Sequence, residues 1–246
     1  MKKSVLVGLF ILLVHLSNAQ FRNILKKPLS KDSSGKYSIS SVLGGNNSSD
    51  IASGLKEALN KGVETGTTKL SAVDGFFKDA AVKILLPPEA QKIEKTLRSA
   101  GLGNQVDQAI LTMNRAAEDA AKSAAPIFLD AVKKMTITDA VSILKGNDSA
   151  ATTYLKANTT SALTTVFRPV VDSSLARVDA TKYWKTITTT YNQMPFVKKV
   201  ETDLTSYVTG KALQGLFHQI ALQEKDIRIN PLARTTDLLK KVFGQK

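Results

Sequence analysis

Residues 152–178 read TTYLKANTTSALTTVFRPVVDSSLARV, and whether they form strand or helix decides the fold class. Their threonines and valines favour a strand, because β-branched side chains pack well on a pleated surface. Their spacing argues the other way. Leu155, Ala162, Val166, Val170 and Val171 recur at intervals that share one face of a 3.6-residue turn. The spacing predicts a helix over 152–178, kinked at Pro169, where the ring removes a backbone donor.

The flanks agree with a helical reading. Downstream, residues 179–192 carry Tyr183, Trp184, Ile187 and Tyr191 at helical intervals. After Pro195 comes the strongest amphipathic pattern in the chain: Leu204, Tyr207, Val208, Leu213, Leu216, Phe217, Ile220 and Ile227. Pro231 stops it, and Thr236-Asp237 opens a short helix through Phe243. Upstream, Thr138 is placed to cap a short helix ending at Gly146, and Asp148 or Ser149 to cap the next. Asn104 caps a helix bearing Val106, Ile110, Met113, Ala117, Ala120, Ala121 and Ala124; its face narrows to alanine, which lets another helix approach closely. Pro126 bends or breaks it. Ser48-Ser49-Asp50 starts a helix with Ile51, Leu55, Leu59 and Val63 in one stripe; Gly62 and Gly66 weaken its end, and Asp74-Gly75 turns the chain. Ala81 to Leu86 reads as a short extended stretch. Pro88 then opens a helix with Ile93 and Leu97, closed by Gly101.

The expectation is therefore all-α: a single compact domain of roughly six to nine helices over 49–246, divided and kinked by prolines. A domain of ~200 residues buries ~70% of its unfolded surface, enough to fold without staples. No repeat of fixed period supports a solenoid.

The first residues read as an address. Lys2 and Lys3 precede an apolar run from Val5 to Leu16, and Ser17-Asn18-Ala19 supplies small residues before a cut at Gln20. Twelve helical residues span ~18 Å, short of the ~30 Å hydrocarbon core. The expectation is a signal peptide over 1–19, export to the periplasm or beyond, and no transmembrane segment in the mature chain. Residues 20–48, rich in Ser and Lys with Gly35, Gly44-Gly45 and Asn46-Asn47, read as a flexible basic linker. Of the formal charge of +13, Lys2 and Lys3 contribute two, residues 20–48 a net four, and the remainder seven. Such an excess biases a protein toward anionic surfaces. No nucleic-acid motif or phosphate loop accompanies it.

Composition also excludes chemistries. There is no Cys, so disulfides, thiolate catalysis and Cys-ligated metal are out, and His15 and His218 are the only histidines. Removal of 1–19 leaves His218 alone, so no multi-histidine metal site survives maturation. No cofactor motif is present.

Six strings in order carry a resemblance. They are KILLPPE at 83–89, MNRAAE at 113–118, TDAVSILKG at 138–146, DSAATTYL at 148–155, YVTGKALQGLF at 207–217 and EKDIR at 224–228. Together they resemble the bacterial family catalogued as domain of unknown function 4197 over about residues 49–244. The resemblance implies an exported, mostly helical bacterial protein without an established activity, and carries no catalytic residue across. It also implies acidic residues where this chain has Gln214 and Gln223, which depletes any carboxylate site on that helix.

Seven polar residues stand out from the stripes. Asn114 and Glu118 lie four apart on one face, with Arg115 in reach of Glu118. They can present an amide and a guanidinium to a polar ligand, or form an intrahelical pair plus an Asn tying backbone. Glu224 and Arg228 are four apart beside Lys211 on the strongest stripe. They can be a solvated edge, or Lys211 and Arg228 can flank an apolar groove and receive a carboxylate. His218 can act as a general base to a hydroxyl, or sit as a boundary histidine; no nucleophile elbow accompanies it. Asp139 and Asp148 read as helix caps. The leading reading is a non-enzymatic binding or interaction module whose partner is an anionic envelope component, a lipid or a protein. The alternatives are a hydrolase using paired carboxylates or a His-activated hydroxyl, and a structural subunit of an exported assembly.

Overall fold

The computed structural model describes residues 48–243 apart from 88–89, 178–180, 182–183, 186–187, 190–191, 194, 197–198, 200–202 and 235. The signal segment over 1–19, nearly all of the linker over 20–48, and Pro88 lie outside the described residues.

The chain is all-helical, with no strand among the described residues. In order run α1 (Ser48–Ser71), α2 (Gln91–Ser99), α3 (Gly103–Ala121), α4 (Ala124–Lys134), α5 (Ile137–Lys145), α6 (Ala150–Ala176), α7 (Leu204–Ile229), a 3-10 turn (Pro231–Ala233) and α8 (Asp237–Phe243). Of the helix expected over 179–192, Thr181, Trp184, Lys185, Thr188, Thr189 and Asn192 are helical, while Tyr183, Ile187 and Tyr191 lie outside the described residues. No helix is long and apolar enough to cross a membrane among the described residues.

The core forms where α3, α6 and α7 pack on one another. On α3, Ala116, Ala117, Ala120 and Ala121 are buried beneath Val106, Ile110 and Met113, so the predicted stripe is the buried face. Small side chains there let the other two helices come close. Phe128 of α4 meets Phe217 of α7 edge to face, centroids 5.7 Å apart at 85°, the arrangement the ring quadrupoles favour.

The ambiguous stretch is a helix, but its buried face differs from the expected one. Leu155, Thr159, Leu163, Phe167, Val171 and Leu175 face the core at intervals of four, while Ala162 and Val166 are exposed. Two stripes one residue apart competed, and the one carrying Leu163 and Phe167 buries more apolar area. The threonines that argued for strand return their hydroxyls to the carbonyl four residues back: Thr159 to Leu155 (2.6 Å), Thr160 to Lys156 (2.6 Å) and Thr164 to Thr160 (2.7 Å). That local bond satisfies the polar group inside a helix. Pro169 sits within α6 without ending it.

Several boundaries shift for readable reasons. The chain breaks before Pro126, at 122–123, and Pro126 falls in the first turn of α4, where a missing N–H costs nothing. Asn104 does not cap α3; Leu102 holds that position with no side-chain bond. Thr136, not Thr138, caps α5. It forms a reciprocal box with Asp139, which accepts from the Thr136 N–H at 3.0 Å. Gly62 and Gly66 do not weaken α1, which runs on to Ser71. A Cβ on Gly62 would sit 3.4 Å from Gln223 Cβ, and one on Gly66 3.6 Å from Gln219 Cβ, so both mark where α1 lies against α7. Gly101 ends the α2 region in the left-handed conformation, φ 82°, as a closing glycine should.

Candidate functional site

Between α1 and α2 the chain is irregular from residue 72 to 87, and buried side chains of α3 fix its shape. Asp74 turns left-handed at φ 70°. Gly75 follows because a Cβ there would lie 2.3 Å from the Lys69 carbonyl oxygen, a contact no side chain can make. The next two N–H groups, of Phe76 and Phe77, donate to Glu118 Oε1 at 3.1 and 3.2 Å. Eight residues on, Asn114 holds Ile84 by both backbone groups: the Ile84 N–H donates to Oδ1 and Nδ2 donates to the Ile84 carbonyl, each at 2.8 Å. Nδ2 also donates to the Ile110 carbonyl at 2.7 Å. The Phe76 ring drops onto α7, where a Cβ on Gly215 would stand 2.6 Å from its Cε1.

Arg115 closes this clamp from outside. It pairs with Glu118 Oε2 at 2.5 Å and Asp74 Oδ1 at 2.6 Å. Hydrogen bonds from Lys78 and then Arg115 hold the Asp74 carboxyl below the ordinary carboxylate range. Glu118 and then Asp74 raise the Arg115 guanidinium in return. Asn114, Arg115 and Glu118 thus lie together; Asn114 and Glu118 bind the protein's own backbone, and Arg115 binds two of its carboxylates.

Glu224 and Arg228 form a second clamp between two helix ends. Glu224 Oε1 accepts from the Ala151 N–H at 2.9 Å; Oε2 accepts from the Thr152 N–H and hydroxyl, both at 2.8 Å. These are first-turn donors of α6, which have no partner within their helix. Ser149 stands at the cap position of α6 but makes no side-chain bond there, so the carboxylate of α7 does the capping. Arg228 pairs with Glu224 at 2.9 Å and donates to the Ile143 and Leu144 carbonyls at 2.8 and 3.4 Å, at the end of α5. Anion at an N-terminus and cation at a C-terminus both suit the helix dipoles. The pair is no solvated edge: both side chains are buried.

This burial overturns the groove expected between Lys211 and Arg228. Seventeen helical residues separate them, about 25 Å of rise, and Arg228 is buried on Glu224 and two carbonyls. Beside the clamp is a cavity of about 20 Å³, lined by Leu59, Ile220, Ile227 and Phe243 with Glu224 and Arg228; it has room for about one water. His218 is exposed, and among the described residues no hydroxyl is hydrogen-bonded to it. Nearby, the Asp79 carboxyl lies below its ordinary value chiefly through the hydrogen bond from Lys69 at 2.7 Å. Buried Gln219 joins that cluster, donating to Asp79 at 3.1 Å.

Lys211 lies elsewhere, at the surface formed by the irregular segment. Its ammonium is 5.8 Å from the centroid of Tyr207, whose hydroxyl donates to the Leu85 carbonyl at 2.8 Å. Lys83 stands 4.1 Å over the Phe77 ring, with Arg115 5.9 Å from the same centroid. Phe77, Lys83, Leu85 and Tyr207 were not singled out as site residues by sequence. The signal available was the string at 83–89, one of those that carried the family resemblance. No group of His, Cys, Asp or Glu among the described residues is arranged to hold a metal ion.

Residues 45–244 match the family model described as a protein of unknown function (DUF4197). No curated protein and no solved structure gives a match.

Proposed function

Because the chain belongs to the family described as protein of unknown function (DUF4197), its role has to be argued from its own chemistry, and we propose an exported, non-enzymatic interaction module that engages an anionic envelope component through its basic surface. One contrast carries this reading. The two deeply buried carboxylates, Glu118 and Glu224, have both oxygens occupied by N–H, hydroxyl or guanidinium donors. Lys83 and Lys211, at the surface, have no carboxylate partner among the described residues. A carboxylate so committed is poorly placed to shuttle protons, whereas an unneutralised ammonium attracts anions.

The net charge of the whole chain points the same way, and the leader-like first residues support export. The test is direct. The exported product, its start at Gln20 checked by intact mass, is titrated with anionic vesicles and with an envelope extract across a range of salt. Binding that weakens as salt rises is expected, since surface charges are screened beyond ~10 Å at 0.1 M. No binding to either at low salt overturns the reading.

A further inference from the structure

Leu85 is 54% exposed on backbone that side chains of two helices hold. Asn114 grips both backbone groups of Ile84, and Tyr207 holds the Leu85 carbonyl. Two residues before it is Lys83, stacked on Phe77, and beside the Tyr207 that holds its carbonyl is Lys211. Neither ammonium is within ion-pair reach of an acid among the described residues. Asp107, an acid whose carboxyl Lys83 helps to lower, is itself paired to Arg98 at 2.7 Å. An aliphatic tip, two half-buried aromatic rings and two ammoniums without a carboxylate partner, Lys211 donating only to Gln214 Oε1 at 3.4 Å, thus share one surface held in shape before anything binds.

We propose that this surface, centred on Leu85 with Lys83 and Lys211, is where the protein docks on a bilayer, the lysines taking anionic lipid headgroups while Leu85 enters the interface. The inference rests on the reading above and names the partner within it. The composition fits that occupant in three ways. Aromatic rings and lysines favour the headgroup region, an exposed leucine gains by leaving water, and each lysine near an anionic leaflet adds attraction. An acidic protein would use the lysines but has no particular use for a lone aliphatic tip.

The experiment uses the full exported protein and vesicles of equal phosphatidylglycerol and phosphatidylcholine, with phosphatidylcholine alone as reference. The wild type is expected on the anionic vesicles and not on the reference. Lys83→Glu removes one attraction and adds one repulsion, so partition falls about thirty-fold. Leu85→Asp lowers it about ten-fold or more. Lys156→Glu, on the exposed face of α6, changes net charge equally and costs no more than about three-fold. All variants are checked for unchanged helicity and melting, and Leu85→Ser replaces Leu85→Asp if the latter melts early. Equal losses in Lys83→Glu and Lys156→Glu overturn the docking surface while leaving a diffuse basic module standing. Binding to a protein of the extract but not to vesicles overturns the lipid partner alone. No binding anywhere removes both this inference and the reading beneath it.

Discussion

Glu224 and Glu118 each accept two backbone N–H groups and a guanidinium, yet their arginines differ: the Arg228 side chain is 3% exposed and that of Arg115 36%. Both clamps tie α7 or α3 to segments far away in sequence. The first joins two helix ends and is sealed; the second fixes an irregular segment and leaves its arginine at the surface. Burial decides what each carboxylate is worth. A buried pair that loses one member strands the other, whereas a pair at the boundary hands its survivor to water.

The comparison breaks first on the carboxylates themselves. Glu224→Ala strands the Arg228 charge and two first-turn N–H groups of α6, so a loss of about 3–5 kcal/mol is expected in urea denaturation. Glu118→Ala leaves Arg115 with Asp74 and solvent, and the cost is chiefly the orphaned N–H of buried Phe76, since half-buried Phe77 can turn to water, about 1–3 kcal/mol. Equal losses would mean that exposure of the arginine does not matter here.

The same two clamps show what sequence reading reaches. Stripes such as Ile51, Leu55, Leu59 and Val63, all buried, were legible because helical periodicity is local. The pairing of Arg115 with Glu118 and of Glu224 with Arg228 was legible too, from spacing of three and four. Their burial was not, because the donors that satisfy Glu224 lie 72 and 73 residues away and those of Glu118 lie 41 and 42 away. The same non-locality hid the cap of α6: neighbouring Asp148 or Ser149 is the local expectation, but Ser149 at the cap makes no side-chain bond and a distant carboxylate takes the first-turn donors. On α6 the failure was finer. Periodicity offered two faces one residue apart, and only packing against α3 and α7 chooses between them. Lys83 and Leu85 carry no signal of their own as site residues for the related reason that an irregular segment has no period to read.

A second test asks whether packing, and not only hydrogen bonding, fixes the segment that Glu118 holds. Gly215→Ala drives a methyl into the Phe76 ring, and overpacking of this kind costs about 1–3 kcal/mol. Against it stands the gain of about 1 kcal/mol for alanine over glycine in a helix. A net loss of up to about 2 kcal/mol is expected by thermal or urea melts, and Phe76→Leu in the same chain should recover part of it. A stabilised Gly215→Ala would show that the segment moves aside freely.

Arg115 gives a smaller effect and a sharper one. Arg115→Ala removes ion pairs to Asp74 and Glu118 from a side chain more than a third exposed, so about 1 kcal/mol or less is expected. The two backbone donors to Glu118 remain in place. Loss on the scale of Glu224→Ala would instead place Arg115 in the same sealed class as Arg228, and the distinction between the clamps would collapse.

The smallest effect concerns an acid outside both clamps. Asp203 caps α7 through the Ser206 N–H at 2.9 Å and pairs with Arg168 of α6 at 2.6 Å. Burial works to raise its carboxyl, but the bonds from Arg168 and from the Ser206 N–H and hydroxyl prevail and hold it at about 2, against an ordinary 3.8. A depressed folded value means that the unfolded chain takes up the proton first. The stabilisation is therefore complete above pH 3.8 and is lost as pH falls toward about 2. The Asp203 side chain is 39% exposed, so solvent screening keeps the contribution small. Asp203→Asn should flatten the acid limb of the stability profile in that window and leave the slope between pH 5 and 8 unchanged, as read from urea midpoints at each pH. A changed slope near neutrality would assign that titration to another group, and the helix junction at Asp203 would then not be what the acid limb reports.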